Sequence, residues 1–311
     1  MMNDRNPEHD VEIKGDPQLT SVELPGQDVS GGLLLAIDSA TSAMSVALVK
    51  KGKLLAEVNS LVERNHSVYL MPAIEEALNQ AGLSLGALQG IAVGKGPGSY
   101  TGVRIGITVA KTMAWTLKLP VAGVSSLETL AAGALAEWRK QGGASSCVWV
   151  VPMLNARRGQ AFTALLELRE HEPLQVDEAQ ENGSALPAMW PVSSPGWLCR
   201  EEDGIRLMET WADRLLELLG QEQKPPEAVL FVGEPQEFGA VTERFAQAAP
   251  GASGASVRTE AIPCDIHAEY AGYLGELRFR SGQGDDAHTL LPNYAQLAEA
   301  EVKLAEKQQN K

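Results

Sequence analysis

Apolar residues along this chain fall into short unbroken runs and helical stripes, separated by turns bearing glycine or proline. After a polar opening stretch, LLLAIDS at 33–39 is apolar up to Asp38 and reads as a buried strand. MSVALVKKGKLLAEVNSL reads as two strands joined at KKGK, with Gly52 supplying the turn. In HSVYLMPAIEEALNQAG, Met71, Ile74, Leu78 and Ala81 recur at helical spacing and Gly82 follows as the stop. Pro72 must then lie in the first turn or kink that helix. GIAVG reads as a strand leading into GKGPGSYTGVRIG at 94–106 and a helix from Ser99 to about Leu117. VAGV is another strand. SSLETLAAGALAEW is a helix capped by Ser125 or Ser126, with Glu128 near its third position.

The second half repeats this order. CVWVVPML and GQAFTALLEL read as strands, and 170–204 is weakly patterned. LMETWADRLLELLG is a helix, AVLFVGE a strand, and PQEFGAVTERFAQAA and CDIHAEYAGYLGELRFRS are helices. Two successive β-β-(β)-α-β-α units predict a duplicated α/β architecture. That is the order of the actin/hexokinase/Hsp70 (ASKHA, ribonuclease H-like) folds, in which two such domains face a cleft. The expected division is a disordered tail at 1–32, one subdomain at 33–120, a second at 121–290 and a C-terminal segment at 291–311. A return of that last segment to the first subdomain is one of its readings.

Composition and charge narrow the function. Apolar residues make up 44% of the 311 positions, with no run of membrane-spanning length. The stretch 1–32 is polar, acidic and periodless and has no apolar centre of a secretion signal, so a cytoplasmic protein is expected. Cys147, Cys199 and Cys264 stand far apart without a C-x-x-C, which indicates neither a disulfide framework nor a zinc ribbon. A net charge of −14 disfavours unaided binding of nucleic acid, which needs clustered Lys and Arg. The basic pair Arg157 and Arg158 is readable as a phosphate contact or, more simply, as a solvated turn.

The glycine-rich stretch 94–106 carries five glycines and a proline in thirteen residues. Its spacing is neither G-x-x-x-x-G-K-[ST] nor G-x-G-x-x-G, so it is not a phosphate loop of either kind. Within the helix, Gly102, Gly106, Ala110 and Ala114 recur every four residues and make a ridge nearly free of side chains. Val103, Ile107 and Leu117 border it, while Arg104, Thr108, Lys111 and Thr112 lie opposite. Each helical glycine costs roughly 1 kcal/mol relative to alanine. Close approach of another backbone offsets that cost, either inside the domain or in a partner, and spacing alone leaves the two open.

LLAIDSATSAMSVALV, RNHSVYLMPAIEEAL, GKGPGSYTGVRIGITVAK and VAGVSSLETLAAGA together resemble the bacterial TsaB (YeaZ) family. The resemblance is strong over 33–134 and weaker through VVPMLNARRGQAFTALLEL and LLPNYAQLAEAE; where the family pattern has Asp, this chain has Asn155. The family takes part in making threonylcarbamoyladenosine at position 37 of tRNAs that read A-starting codons. The resemblance implies a non-catalytic sister of the transferase TsaD that pairs with it, with the ATPase TsaE as a further partner and TsaC supplying threonylcarbamoyl-AMP. It also implies tRNA contact only through the complex, no membrane, and self-pairing when TsaD is absent. ATP and metal are expected on the partner subunits and no cofactor in the isolated chain. The pairing surface it implies is formed by the helices near 67–81 and 99–117, giving His66, Leu70, Ile74, Gly102, Val103, Gly106, Ile107 and Ala110 as interface candidates.

Catalytic chemistry finds few residues. TsaD-type proteins carry H-x-E-G-H after the strand that follows the glycine helix; the matching segment here is VSSLETL. Ser126 and Leu130 stand at the two histidine positions, and Glu128 is left as a capping residue. The remaining histidines, His9, His171, His267 and His288, are scattered. Asp38, with Ser39 and Thr41, ends the first strand where related ATPases hold Mg²⁺ and phosphate. The simpler reading is a turn-capping Asp among hydroxyls. An ATP-dependent sugar or acetate kinase is therefore the rival function, and it needs a second phosphate loop for which FVGEPQEFG is the sole candidate.

Overall fold

The computed structural model describes residues 29, 31–61, 66–169 and 197–295. Most of the expected tail at 1–32, and 296–311 of the C-terminal segment, lie outside the described residues. β1 (Leu33–Asp38) is buried along its whole length, which explains its unbroken apolar run. It pairs antiparallel with β2 (Ala43–Lys50), and β2 pairs antiparallel with β3 (Lys53–Leu61) through a turn in which Lys51 and Gly52 both have positive φ. On its other side β1 runs parallel to β4 (Gly90–Gly94), and β4 parallel to β5 (Val121–Val124). The first sheet is thus ordered β3-β2-β1-β4-β5.

The second sheet repeats the plan. β6 (Cys147–Asn155) pairs antiparallel with β7 (Gln160–Arg169), which pairs antiparallel with β8 (Trp197–Leu207). β6 runs parallel to β9 (Ala228–Gly233), and β9 to β10 (Arg258–Pro263). The order β8-β7-β6-β9-β10 matches the first sheet strand for strand, so the duplicated architecture expected from the sequence is present. The strands β8 and β10 are absent from the sequence reading. β8 carries the polar run Arg200–Asp203, and β10 is an edge strand with no fully buried residue.

Among the described residues each half contributes three α-helices. α1 (His66–Gln80) lies on β2 and β3, and α2 (Tyr100–Leu117) on β1 and β4. α4 (Met208–Gln221) and α5 (Gly239–Ser253) pack on each other, over a core that includes Trp149, Phe231 and Phe245. The third helices cross over. α3 (Ser126–Lys140) packs on β6, β7 and β9, while α6 (Ala268–Arg280) packs on β1, β2 and β4, and the two helices meet. Gly272 and Gly275 let α6 lie close on the first sheet, since side chains there would overlap Val49 and Ala92.

Two elements from the stretch 121–290 therefore stand with the first sheet: β5 and α6. The chain after α6 also runs back along it. Asp285 N donates to Val121 O at 2.8 Å and Asn293 N to Lys95 O at 2.7 Å. In α1 the buried side holds His66, Leu70, Ala73, Ile74, Ala77 and Leu78, whereas Met71 is exposed, so the inner face is turned from the expected one. Pro72 lies well inside α1 rather than in its first turn; the helix continues past it with Val68, four residues before, on the exposed side.

Candidate functional site

The glycine stretch joins β4 to α2 and packs against the turn between β1 and β2. Ser99 caps α2, its hydroxyl accepting from Gly102 N at 3.3 Å, and its own N–H donates to Ala40 O at 2.6 Å. The Ser39 hydroxyl donates to Gly102 O at 2.8 Å. A Cβ on Gly102 would overlap the Ser39 carbonyl oxygen, and one on Gly106 would crowd the Ser39 hydroxyl. Of the two packings left open by the spacing, the ridge adopts the internal one: Gly102 and Gly106 meet the chain's own β1–β2 turn.

The interface candidates sit on the inner side of the two helices. His66, Leu70, Ile74, Gly102, Val103, Gly106, Ile107 and Ala110 are all buried within the chain's own fold. Leu70, Ile74, Val103, Ile107 and Ala110 belong to the core beneath the two helices. His66 Nε2 has no hydrogen-bond partner among the described residues, and burial lowers the pKa of the ring.

Asp38 and Ser39 are equally enclosed. Asp38 Oδ1 accepts from Ala40 N at 2.9 Å and Oδ2 from Ser126 Oγ at 2.8 Å. A side chain on Gly94 would collide with that same carboxylate. Burial, opposed by those two hydrogen bonds, pushes the Asp38 pKa up to about 6. Thr41 is occupied locally, donating to Ala43 O at 2.9 Å and accepting from Ala43 N at 3.2 Å. The three residues come together at one turn, but α2 seals it, and the carboxylate works as a turn cap that also holds the start of α3. The candidate second loop closes similarly: a Cβ on Gly233 would lie 2.6 Å from Met153 O and 2.7 Å from Leu130 Cδ2.

The metal positions are filled by structural contacts. Ser126 Oγ accepts from Gly96 N at 3.2 Å while donating to Asp38, and Leu130 is buried. Ser125 is the cap of α3, accepting from Glu128 N at 3.2 Å, as the sequence predicts. The Glu128 carboxyl lies in the seam between the halves with Asp203, Lys95 and Arg278; burial raises its pKa and that of Asp203. Asn293 spans this seam, donating through its side chain to Asp203 Oδ2 at 3.0 Å. Arg157 and Arg158 occupy an exposed turn with φ of 68° and 53°. Asn155 donates to Glu237 Oε2 at 3.0 Å, a contact that an Asp could make only as a second carboxylate facing the first.

The open surface is the other side of α1 and α2. Ser67, Tyr100, Thr101, Arg104, Ile105, Thr108 and Val109 line a shallow groove of about 450 Å³. Around it Val68 is 63% exposed and Trp115 61%, with Tyr69 and Tyr100 also outward. Large apolar groups are thus held out to solvent on two adjacent helices. The sequence signal was present in the residues opposite the glycine ridge, Arg104, Thr108, Lys111 and Thr112, one step around the helix from the buried candidates.

The fold and site define a duplicated two-sheet α/β protein with a sealed β1–β2 turn and an exposed helix pair. The profile of the tRNA N6-adenosine threonylcarbamoyltransferase family (TsaD) matches residues 58–183. The tRNA threonylcarbamoyladenosine biosynthesis protein TsaB of Bacillus subtilis is 33% identical over 275 residues, 88% of this chain and 99% of the relative. The protein of the same description from Escherichia coli is 36% identical over 173 residues, 53% of this chain and 71% of the relative. A crystal structure of a Pseudomonas aeruginosa protein described as similar to peptidase YeaZ has a TM-score of 0.58 at 25% identity, covering 85% of this chain and 100% of that one. This chain belongs to the TsaB family of tRNA threonylcarbamoyladenosine biosynthesis proteins.

Proposed function

We propose that this chain is a non-catalytic scaffold that pairs with a TsaD-type transferase, together with a TsaE-type ATPase, for threonylcarbamoyl transfer to adenosine 37 of tRNAs reading A-starting codons. The observation that carries this reading is the outward face of α1 and α2, whose inner face is already consumed by the core. The transferase family profile spans both helices, from 58 to 183. A TsaD-type partner therefore has a related helix pair, and two like faces can pack about a pseudo-twofold axis. The same surface allows the chain to pair with itself when the transferase is absent. The acidic balance, with a net charge of −14, supports tRNA contact through the complex rather than by this chain alone.

The kinase alternative is weakened by the Asp38 turn, whose carboxylate is capped by Ala40 N and Ser126 Oγ and covered by α2. The test replaces Thr108, an exposed groove residue, with Trp and measures affinity for a TsaD-type transferase and thermal melting on the same preparation. The expected result is at least tenfold weaker pairing with unchanged melting. Unchanged affinity overturns the docking face. Robust ATP hydrolysis or sugar phosphorylation by the lone chain overturns the scaffold reading.

A further inference from the structure

Arg104 stands in the groove on the outward face of α2, and a strap of chain after α6 holds it. Residues 285–294 run alongside α2: Lys111 Nζ donates to His288 O at 3.0 Å and to Leu290 O at 2.9 Å. The rings of Trp115 and His288 meet edge to face at 4.3 Å. At the end of the strap, Tyr294 Oη accepts from Arg104 Nε at 2.7 Å. The guanidinium carbon lies 4.0 Å from the Tyr100 ring centre and 5.3 Å from that of Tyr294.

No carboxylate pairs with Arg104 among the described residues, although the chain carries 40 acidic residues against 26 basic ones. Arg200, Arg214 and Arg244 each reach a carboxylate. Arg104 instead has its Nε spent on a phenol and one face against aromatic rings. That arrangement fixes the plane of the guanidinium and turns its terminal nitrogens into a preset fork. Such a fork suits a carboxylate, bound through two parallel N–H donors.

We infer that Arg104 receives an Asp or Glu side chain from the partner's helix pair, with Tyr294 of the strap as its positioning residue. The docking face then has three elements, α1, α2 and the strap. It fits an apolar helical surface bearing one acidic group over the groove of Ser67, Thr101 and Thr108. An exposed cation that meets its counter-charge only on docking contributes partner selectivity and encounter rate as well as affinity. The inference rests on the scaffold reading above.

The experiment uses the full chain and a TsaD-type transferase, with affinity measured at low and high salt and melting recorded for every variant. Arg104→Glu is expected to weaken pairing at least tenfold at low salt, the loss shrinking as salt rises. Arg104→Lys, which keeps the charge but not the fork, and Tyr294→Phe, which keeps the ring but not the hydroxyl, are each expected to weaken it several-fold with melting unchanged. An acidic-to-Arg replacement on the transferase's helix pair is expected to restore pairing with Arg104→Glu. If Thr108→Trp weakens pairing while all three of these variants stay within twofold of the parent, the carboxylate inference is overturned and the docking face stands. If Thr108→Trp is also without effect, the docking face itself is wrong and the inference falls with it.

Discussion

Ser39 and Gly102 lock the first strand to the glycine helix: the Ser39 hydroxyl donates to Gly102 O at 2.8 Å, and the Ser39 carbonyl oxygen fills the place of a Gly102 side chain. A single methyl at position 102 must therefore push α2 off the β1–β2 turn. Overpacking of a closed site commonly costs about 1–3 kcal/mol, and contact with backbone leaves little room to relax. Gly102→Ala is expected to lose about 3 kcal/mol, a fall of about 5 °C in Tm. Gly106→Leu is expected to fare worse, since its side chain must displace Ser39 Oγ. The control is Gly239→Ala, where nothing stands within 4 Å and the backbone is helical; its Tm should hold or rise. Equal melting of Gly102→Ala and the parent would sink this account.

The sequence carried the fold because the two halves repeat one element order and the central strands are buried on both faces, as in LLLAID and AVLFVG. It missed β8 because REED hides the strand in polar residues, and β10 because an edge strand needs no apolar alternation. The two helices were legible in the sequence, but not which of their residues turn outward. Small residues at four-residue spacing announce a close neighbour without saying which, and in this chain the neighbour is Ser39 of the same domain. The strap contacts of Asn293 and Tyr294 join positions 90 and 190 residues from their partners, so no local pattern could reveal them.

Asp38 gives a pH test. Its folded-state pKa is pushed up to about 6 from 3.8, so the folded protein binds the proton more readily than the unfolded chain. The ionised group therefore costs stability above pH 6, and that cost is relieved as pH falls from about 6 towards 3.8. Asp38→Asn keeps an acceptor for Ala40 N and can donate to Ser126 Oγ. Its stability relative to the parent is expected to be most favourable at pH 7, by at most about 3 kcal/mol, and to converge with the parent near pH 4. Denaturant unfolding of both proteins between pH 4 and 7 checks this, and parallel curves would count against it.

The Glu57–His267 pair, Oε2 to Nδ1 at 2.8 Å, anchors the start of α6. Glu57 also accepts from Glu269 N at 3.1 Å, placing its charge at the N-terminus of that helix. The hydrogen bond and charge of Glu57 raise the His267 pKa. For Glu57, burial acts upward, but the bonds from His267, Asn59 and Glu269 N prevail and lower it. The histidine contribution is complete below about pH 6.5 and fades as pH rises through its folded value. The glutamate contribution is complete above about pH 4.5 and fades below it. His267→Ala should thus cost most between those limits and less at pH 8. With His267 nearly half exposed, solvent screening keeps the loss below about 1 kcal/mol. A loss that grows from pH 6 to 8 would contradict the pairing.

Metal content is the measurement that tests whether this chain could act as a self-sufficient transferase. Ser126 has its hydroxyl shared between Asp38 and Gly96 N, and Leu130 fills the space over Gly233, so both positions are committed to packing. Elemental analysis of the purified chain, after removal of any tag, is expected to find far less than one Zn²⁺ or Fe²⁺ per molecule. Restoring histidines is not expected to build a site. In the double variant S126H/L130H, one ring would enter a position with no exposed surface and leave Asp38 Oδ2 without its donor. Breaking such a buried contact while overpacking the core commonly costs several kcal/mol. The expected outcome is a variant that melts early and still binds no metal. About one metal per chain in the unsubstituted protein would show that ligands other than these positions assemble a centre, and would reopen the question of catalysis by this subunit alone.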